Sequence, residues 1–168
     1  LEINDFNQLG KSYKAKISFE NGNLSLELSK NRLSGFGNFK LEDGDLYFEI
    51  IKGTMNGIKF DGYAKEIYTS GKSKGQSYEG DLKGYIRHGN GKLIIPGLVV
   101  YEGKFLDGSP SQGILDYENG EKYEGELKNN TFHGSGTYYY KNGDKFTGYF
   151  VNDIKTGYGE YFYVNGDT

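Results

Sequence analysis

His88 and His133 are the first residues whose type could do chemistry, and both open the tetrapeptide His-Gly-x-Gly. A shared metal ion needs its ligands about 2 Å away. The two histidines hold one phase of a repeat, two repeats apart, which strand spacing turns into about 20 Å. They are therefore read as turn residues. Gly71-Lys72-Ser73 and Gly10-Lys11-Ser12 have the ending of a phosphate-binding loop, but positions 66 and 5, where that loop needs glycine, hold Glu66 and Asp5. No helical pattern follows either stretch to offer its N-terminus to a phosphate. Glu79, Glu102 and Glu124 invite acid–base chemistry, yet they recur in phase, and like environments do not separate an acid from a base. Cysteine is absent. The expectation is a chain without catalytic residues, metal or cofactor: not an enzyme.

Composition points the same way. With 27 Gly, 16 Tyr and 11 Phe in 168 residues and only 35% apolar residues, burial has to come from aromatic rings. Glycine costs about 1 kcal/mol relative to alanine inside a helix, so this usage reads as all-β with many turns. The net charge is −3, and residues 1–77 hold 11 basic against 10 acidic residues, residues 78–168 hold 9 against 13. A nucleic-acid binder needs clustered Lys and Arg, and neither half supplies them. No run nears the ~18 apolar residues of a membrane span. The chain opens on Leu1, which leaves a removed leader open, and Asn23-Leu24-Ser25 and Asn129-Asn130-Thr131 match the glycosylation pattern without establishing secretion.

The elements that must position these residues follow from self-similarity. Tyr78-Glu79-Gly80, Tyr101-Glu102-Gly103, Tyr123-Glu124-Gly125 and Phe146-Thr147-Gly148 begin units spaced 23, 22 and 23 residues apart. Within them come His88-Gly89-Asn90-Gly91, His133-Gly134-Ser135-Gly136 and Thr156-Gly157-Tyr158-Gly159, while the unit from Tyr101 keeps only Gln112-Gly113. The regular units are 78–100, 101–122, 123–145 and 146–168. Upstream, 1–77 is degenerate, with a clear unit at 24–46 (Ser34-Gly35-Phe36-Gly37, closing on Asp43-Gly44) and an irregular stretch at 47–77. Asn119-Gly120, Asn142-Gly143 and Asn165-Gly166 predict two-residue type I′ hairpin turns, and Asp107-Gly108, Asn129-Asn130 and Asn152-Asp153 mark the opposite turns. Between turns the residues alternate with period two, which means strands.

A strand glycine leaves a gap on its face, over which a neighbouring ring can lie. The expected fold is therefore an elongated single-layer antiparallel β-meander of tandem hairpins, each stacked on the next. Two strands per unit give about 10 Å per repeat and about 70 Å in all. Tyr78, Tyr101, Tyr123, Phe146, Tyr138, Tyr140, Tyr161 and Tyr163 are expected to pack against the glycine face, with Gly80, Gly103, Gly125, Gly148, Gly91, Gly136 and Gly159 beneath.

Tyr-x-Gly, then His-Gly-x-Gly, then a glycine before the next Tyr resembles the MORN repeat (membrane occupation and recognition nexus) across residues 78–168 and, with drift, the unit from Leu24. The resemblance implies a twisted meander whose aromatic face takes a helix, a peptide or a second copy. It also implies a cytoplasmic setting at a membrane or the cytoskeleton, the compartment itself being open. The sequence departs from the pattern at 47–78 and in the unit from Tyr101.

Tyr139, Tyr149 and Phe162 fall on the face opposite the glycines and are the candidate partner-binding residues, with cover by an intramolecular cap as the alternative; exposed aromatic clusters mark contact surfaces. The expected function is a scaffold for protein–protein interaction or dimerisation. The alternatives are phospholipid head-group binding at a membrane, or an accessory strip of a larger enzyme or a carbohydrate-binding surface protein.

Overall fold

The structure is a computed structural model that describes residues 12–29, 32–42, 44–56 and 59–167. Residues 1–11, with the Gly10-Lys11 pair, and Asp43 and Thr168 lie outside the described residues.

Among the described residues, thirteen strands follow one another in a single open antiparallel sheet in meander order. They are β1 (Ser12–Phe19), β2 (Gly22–Ser29), β3 (Arg32–Leu41), β4 (Gly44–Asn56), β5 (Lys59–Tyr68), β6 (Ser77–Lys83), β7 (Ile86–Ile95), β8 (Val99–Leu106), β9 (Ser109–Tyr117), β10 (Lys122–Lys128), β11 (Thr131–Tyr139), β12 (Lys145–Val151) and β13 (Ile154–Phe162). No helix occurs among the described residues. Two compact units result, Leu1–Ile86 and Arg87–Thr168.

In the second unit the register explains the glycines. Gly91, Gly103, Gly113, Gly125, Gly136, Gly148 and Gly159 pair in one unbroken row across β7 to β13. The adjoining row on the same face runs Leu93, Tyr101, Leu115, Tyr123, Tyr138, Phe146 and Tyr161. Each unit's leading ring leans from its row onto the glycines beside it. A Cβ on Gly136 would stand 2.4 Å from the Tyr123 hydroxyl, one on Gly103 2.7 Å from that of Tyr101. Tyr78, Tyr101, Tyr123 and Phe146 are buried. The glycine face thus lacks any need for a covering layer, because the rings bury themselves against bare backbone.

In the first unit the same device recurs in altered form. The Phe60 ring covers the Gly53–Gly62 pair. A central row joins Ile17, Leu24, Gly37, Phe48, Glu66 and Tyr78 across β1 to β6. The irregular stretch resolves into the 13-residue β4 and a connection over 69–76 that contains Gly71-Lys72-Ser73. That connection is an anchored turn: the Gly75 amide donates to the Tyr68 carbonyl, the Thr69 amide to the Asp45 carbonyl, and the Asp45 amide to Ser70 Oγ.

The turns divide differently from the expectation. Two-residue turns with positive φ at both centres occur at Asp107-Gly108, Asn129-Asn130 and Asn152-Asp153, and also at Gly84-Tyr85. At Asn119-Gly120, Asn142-Gly143 and Asn165-Gly166 the expected type I′ turn is replaced, because only the glycines have positive φ. There three residues form the loop, the Gly120 amide donating to the Tyr117 carbonyl and the Tyr117 amide to the Glu121 carbonyl, with the same pairs at 140–144 and 163–167. This is the longer hairpin loop that ends on a left-handed glycine. The asparagine serves as a clamp instead: Asn142 Oδ1 accepts from the Asp144 amide while its Nδ2 donates to the Asp144 carboxylate, as Asn119 does with Glu121 and Asn165 with Asp167.

Candidate functional site

The His-Gly-x-Gly signature has a backbone explanation. Between the Gly125–Gly136 and Glu126–His133 pairs, Gly134 and Ser135 are extra on β11, and Gly157 and Tyr158 are extra on β13 in the same way. Such a bulge bends the strand and re-aims side chains. Its first residue is left-handed, with φ of +59° at Gly134 and +66° at Gly157, where glycine fits without strain. Carbonyls freed by the bulge are capped by the rings: the Tyr123 hydroxyl donates to the Glu126 carbonyl (2.8 Å), and Tyr101 does so to Lys104 (2.6 Å), as Tyr78 does to Asp81 (2.7 Å). Phe146 has no hydroxyl, and its Cζ occupies that place, 2.7 Å and 2.4 Å from Cβ positions on Gly148 and Gly159. In the unit from Tyr101, Pro110 pairs with Phe105 and Ser111 alone is extra, yet Gly113 keeps its place under Tyr101.

His88 lies on β7 and His133 on β11, with three strands between them. His133 Nδ1 is buried without a hydrogen-bond partner among the described residues. Glu102 and Glu124 are exposed, Glu102 facing Lys92 at 3.5 Å, and Glu79 accepts from the Tyr63 hydroxyl at 3.3 Å. Within the second unit, Glu102 and Glu124 lie on different strands, β8 and β10.

Toward β13 the glycine face opens. Tyr138, Tyr140, Phe146, Tyr161 and Tyr163 form a chain of ring contacts with centroids 4.8 to 6.3 Å apart. Lys155 Nζ sits 4.6 to 4.8 Å from the centroids of Tyr140, Phe146 and Tyr161 and contacts the hydroxyls of Tyr140 and Tyr161. The ammonium lowers the pKa of the Tyr161 phenol, while burial raises that of Tyr140. Burial works against the charge on Lys155, but the two phenol oxygens outweigh it and raise its pKa. Burial also pushes Tyr123 up to about 12. Tyr138, half-buried and donating to the Glu121 carboxylate, is raised as well.

On the opposite face, Lys122, Tyr139, Lys145 and Phe162 form one cross-strand row. Lys122 Nζ lies 5.7 Å from the Tyr139 ring centroid and Lys145 Nζ 4.6 Å from that of Phe162. Tyr149 stands apart from that row, opposite Ser135 and Thr156, and is 59% exposed. The three candidate partner-binding aromatics therefore do not form one cluster: two share a lysine-lined row and the third is separate. Tyr149 instead shares the lining of one depression with Tyr158, which sequence reasoning missed. The two border a shallow open depression floored by Gly136, Thr137, Thr147 and Gly148, with Glu124 at its side. Tyr158, one of the two extra residues of the bulge, is 98% exposed.

Ring-over-glycine hairpins joined in meander order define a single-layer β-repeat protein. The sequence model of the MORN repeat matches residues 78–97, 123–145 and 146–168, and the chain belongs to the MORN-repeat family. The skipped segment contains the unit from Tyr101, whose bulge is built differently. No curated protein matches the chain.

Proposed function

We propose that the chain is a non-catalytic scaffold that engages a protein partner, a second copy included, through the polar face of the β12–β13 hairpin. The observation that carries this reading is Tyr158, a bulge residue at 98% exposure beside the 59% exposed Tyr149. Tyrosine offers a large rigid contact area with a polar tip, which is why it concentrates at interfaces. Tyr139 and Phe162, already engaged by Lys122 and Lys145, flank the patch and contribute less. The carboxylate of Glu124 at the depression and the acidic balance of residues 78–168 favour a protein over an anionic lipid surface.

Sedimentation velocity over a concentration series, with and without anionic vesicles, tests the reading. Concentration-dependent association, lost in the Tyr149→Ser/Tyr158→Ser variant and indifferent to vesicles, is the expected result. Co-sedimentation with vesicles at low salt and release at high salt would replace it with the peripheral-membrane reading.

A further inference from the structure

The first unit contains a cavity of about 200 Å³ that belongs neither to the tyrosine patch nor to the glycine rows. Four rings close a circuit around it: Phe19 to Phe39 at 5.6 Å, Phe39 to Phe48 at 6.5 Å, Phe48 to Tyr85 at 5.8 Å, and Tyr85 back to Phe19 at 6.3 Å, with interplanar angles of 62 to 90°. Leu41 and Leu46 with the polar Asn21 and Glu66 complete the wall. Glu66 is 9% exposed, an acid in a row whose other side chains are Ile17, Leu24, Phe48 and Tyr78.

Tyr85 strengthens the case. It has φ of +66°, a backbone conformation that the matching turns give to Gly108, Asn130 and Asp153. A tyrosine there is strained, and strain held by surrounding structure points toward a function. What the strained backbone achieves is the placement of the fourth ring.

We propose that this cavity binds a quaternary ammonium head group. Aromatic faces attract a poorly hydrated cation through their quadrupoles, and the wall around them carries a carboxylate, that of Glu66. Drug-sized ligands occupy cavities of roughly 300–1,000 Å³, so this one takes a head group alone. Its lining has no basic side chain, so the phosphate of a phosphocholine would find no cationic partner in the wall. The carrier is therefore an uncharged or amino-acid stem, as in choline or trimethyllysine.

Isothermal titration of the whole chain with choline, free trimethyllysine, phosphocholine and the uncharged isostere 3,3-dimethylbutan-1-ol tests the assignment. Choline or trimethyllysine should bind at least about tenfold more tightly than the isostere; the tighter of the two identifies the stem. Glu66→Gln should remove about tenfold from the cation and leave the isostere unchanged. Tyr85→Asn, which suits the turn, should weaken the cation while circular dichroism shows the sheet retained. Equal binding of cation and isostere, or no cation binding, overturns the proposal. Phosphocholine binding more tightly than choline overturns the choice of carrier. If Glu66→Gln fails to fold, the comparison of cation with isostere on the native chain decides.

Discussion

Gly136→Ala is the sharpest test of how the sheet holds itself together. A methyl there would lie 2.4 Å from the Tyr123 hydroxyl, 2.6 Å from Cζ and 2.7 Å from Cε2. Real Cβ contacts are never that short, so the ring has to lift. It is held down from above: Phe132 stacks on it with centroids 3.9 Å apart and an interplanar angle of 11°, and Phe150 meets it edge-on at 5.4 Å. Lifting the ring also breaks the 2.8 Å bond from its hydroxyl to the Glu126 carbonyl. Overpacking a core typically costs about 1–3 kcal/mol and a lost hydrogen bond about 0.5–1.5 kcal/mol, so the sum is about 2–4 kcal/mol. At roughly 2–4 °C per kcal/mol for a chain of this size, the melting point should fall by about 5–15 °C. Urea denaturation measures the total, and amide exchange should locate the loss in β10 to β12, since each repeat touches only its neighbours. Tyr123→Phe removes the nearest atom, so the cost of Gly136→Ala measured on that background should shrink by about 1 kcal/mol. A Gly136→Ala protein as stable as the parent, or a penalty independent of residue 123, would refute the ring-on-backbone account.

Three further outcomes follow from the same geometry. Asn142→Ala removes both clamps on Asp144 and should cost about 1–2 kcal/mol in urea denaturation, with Asn119→Ala costing a similar amount. Burial raises the phenols of Tyr123, to about 12, and of Tyr138 and Tyr101. A phenol whose folded pKa is raised stabilises fully below its unfolded value, about 10, and this is lost as pH rises through the folded value. Melting temperatures should therefore hold up to about pH 10 and fall beyond it; a decline that starts at neutral pH would contradict the burial of these rings. Lys155→Met takes away the ammonium that lowers Tyr161, so the Tyr161 phenol should titrate at higher pH than in the parent, followed by NMR of labelled tyrosine.

The repeat, the strands and the pairing of rings with glycines were legible because each depends on residues that are adjacent or in phase. Tyr123 and Gly125 are two apart on one strand, and Gly136 recurs at a fixed offset. What could not be read was whatever depends on residue count across a turn or bulge. An Asn-Gly pair suits both the two-residue and the three-residue hairpin, and only pairing Tyr117 with Glu121 across the loop distinguishes them. Likewise, alternation counted along Thr156-Gly157-Tyr158-Gly159 has no way to know that two residues are extra, so Tyr158 was passed over. The left-handed glycine at the second position of His-Gly-x-Gly was the available signal for the bulge. Glu66 gave no signal at all, since its neighbours in the row come from five other strands.

An aromatic residue's role in this chain turns on what lies beneath it. Tyr123 and Phe146 each cover a glycine on their own strand and one on the next, and both are buried. Such rings hold the sheet, and replacing them should unfold hairpins before it affects any partner. Tyr139 and Phe162 have a lysine above the ring instead, an arrangement worth about 0.5–1 kcal/mol at an exposed site, which a partner would have to match before gaining contact. Among the described residues, neither Tyr149 nor Tyr158 has its ring seated on a glycine pair or a cation above it. They stabilise little and remain open to solvent at 59% and 98% exposure. Serine at both positions should therefore change association while moving the melting temperature by no more than surface substitutions do, about 0.5 kcal/mol each. The same replacement at Tyr123 should do the reverse, and a protein in which both pairs of effects coincide would show that support and recognition are not separable in this sheet.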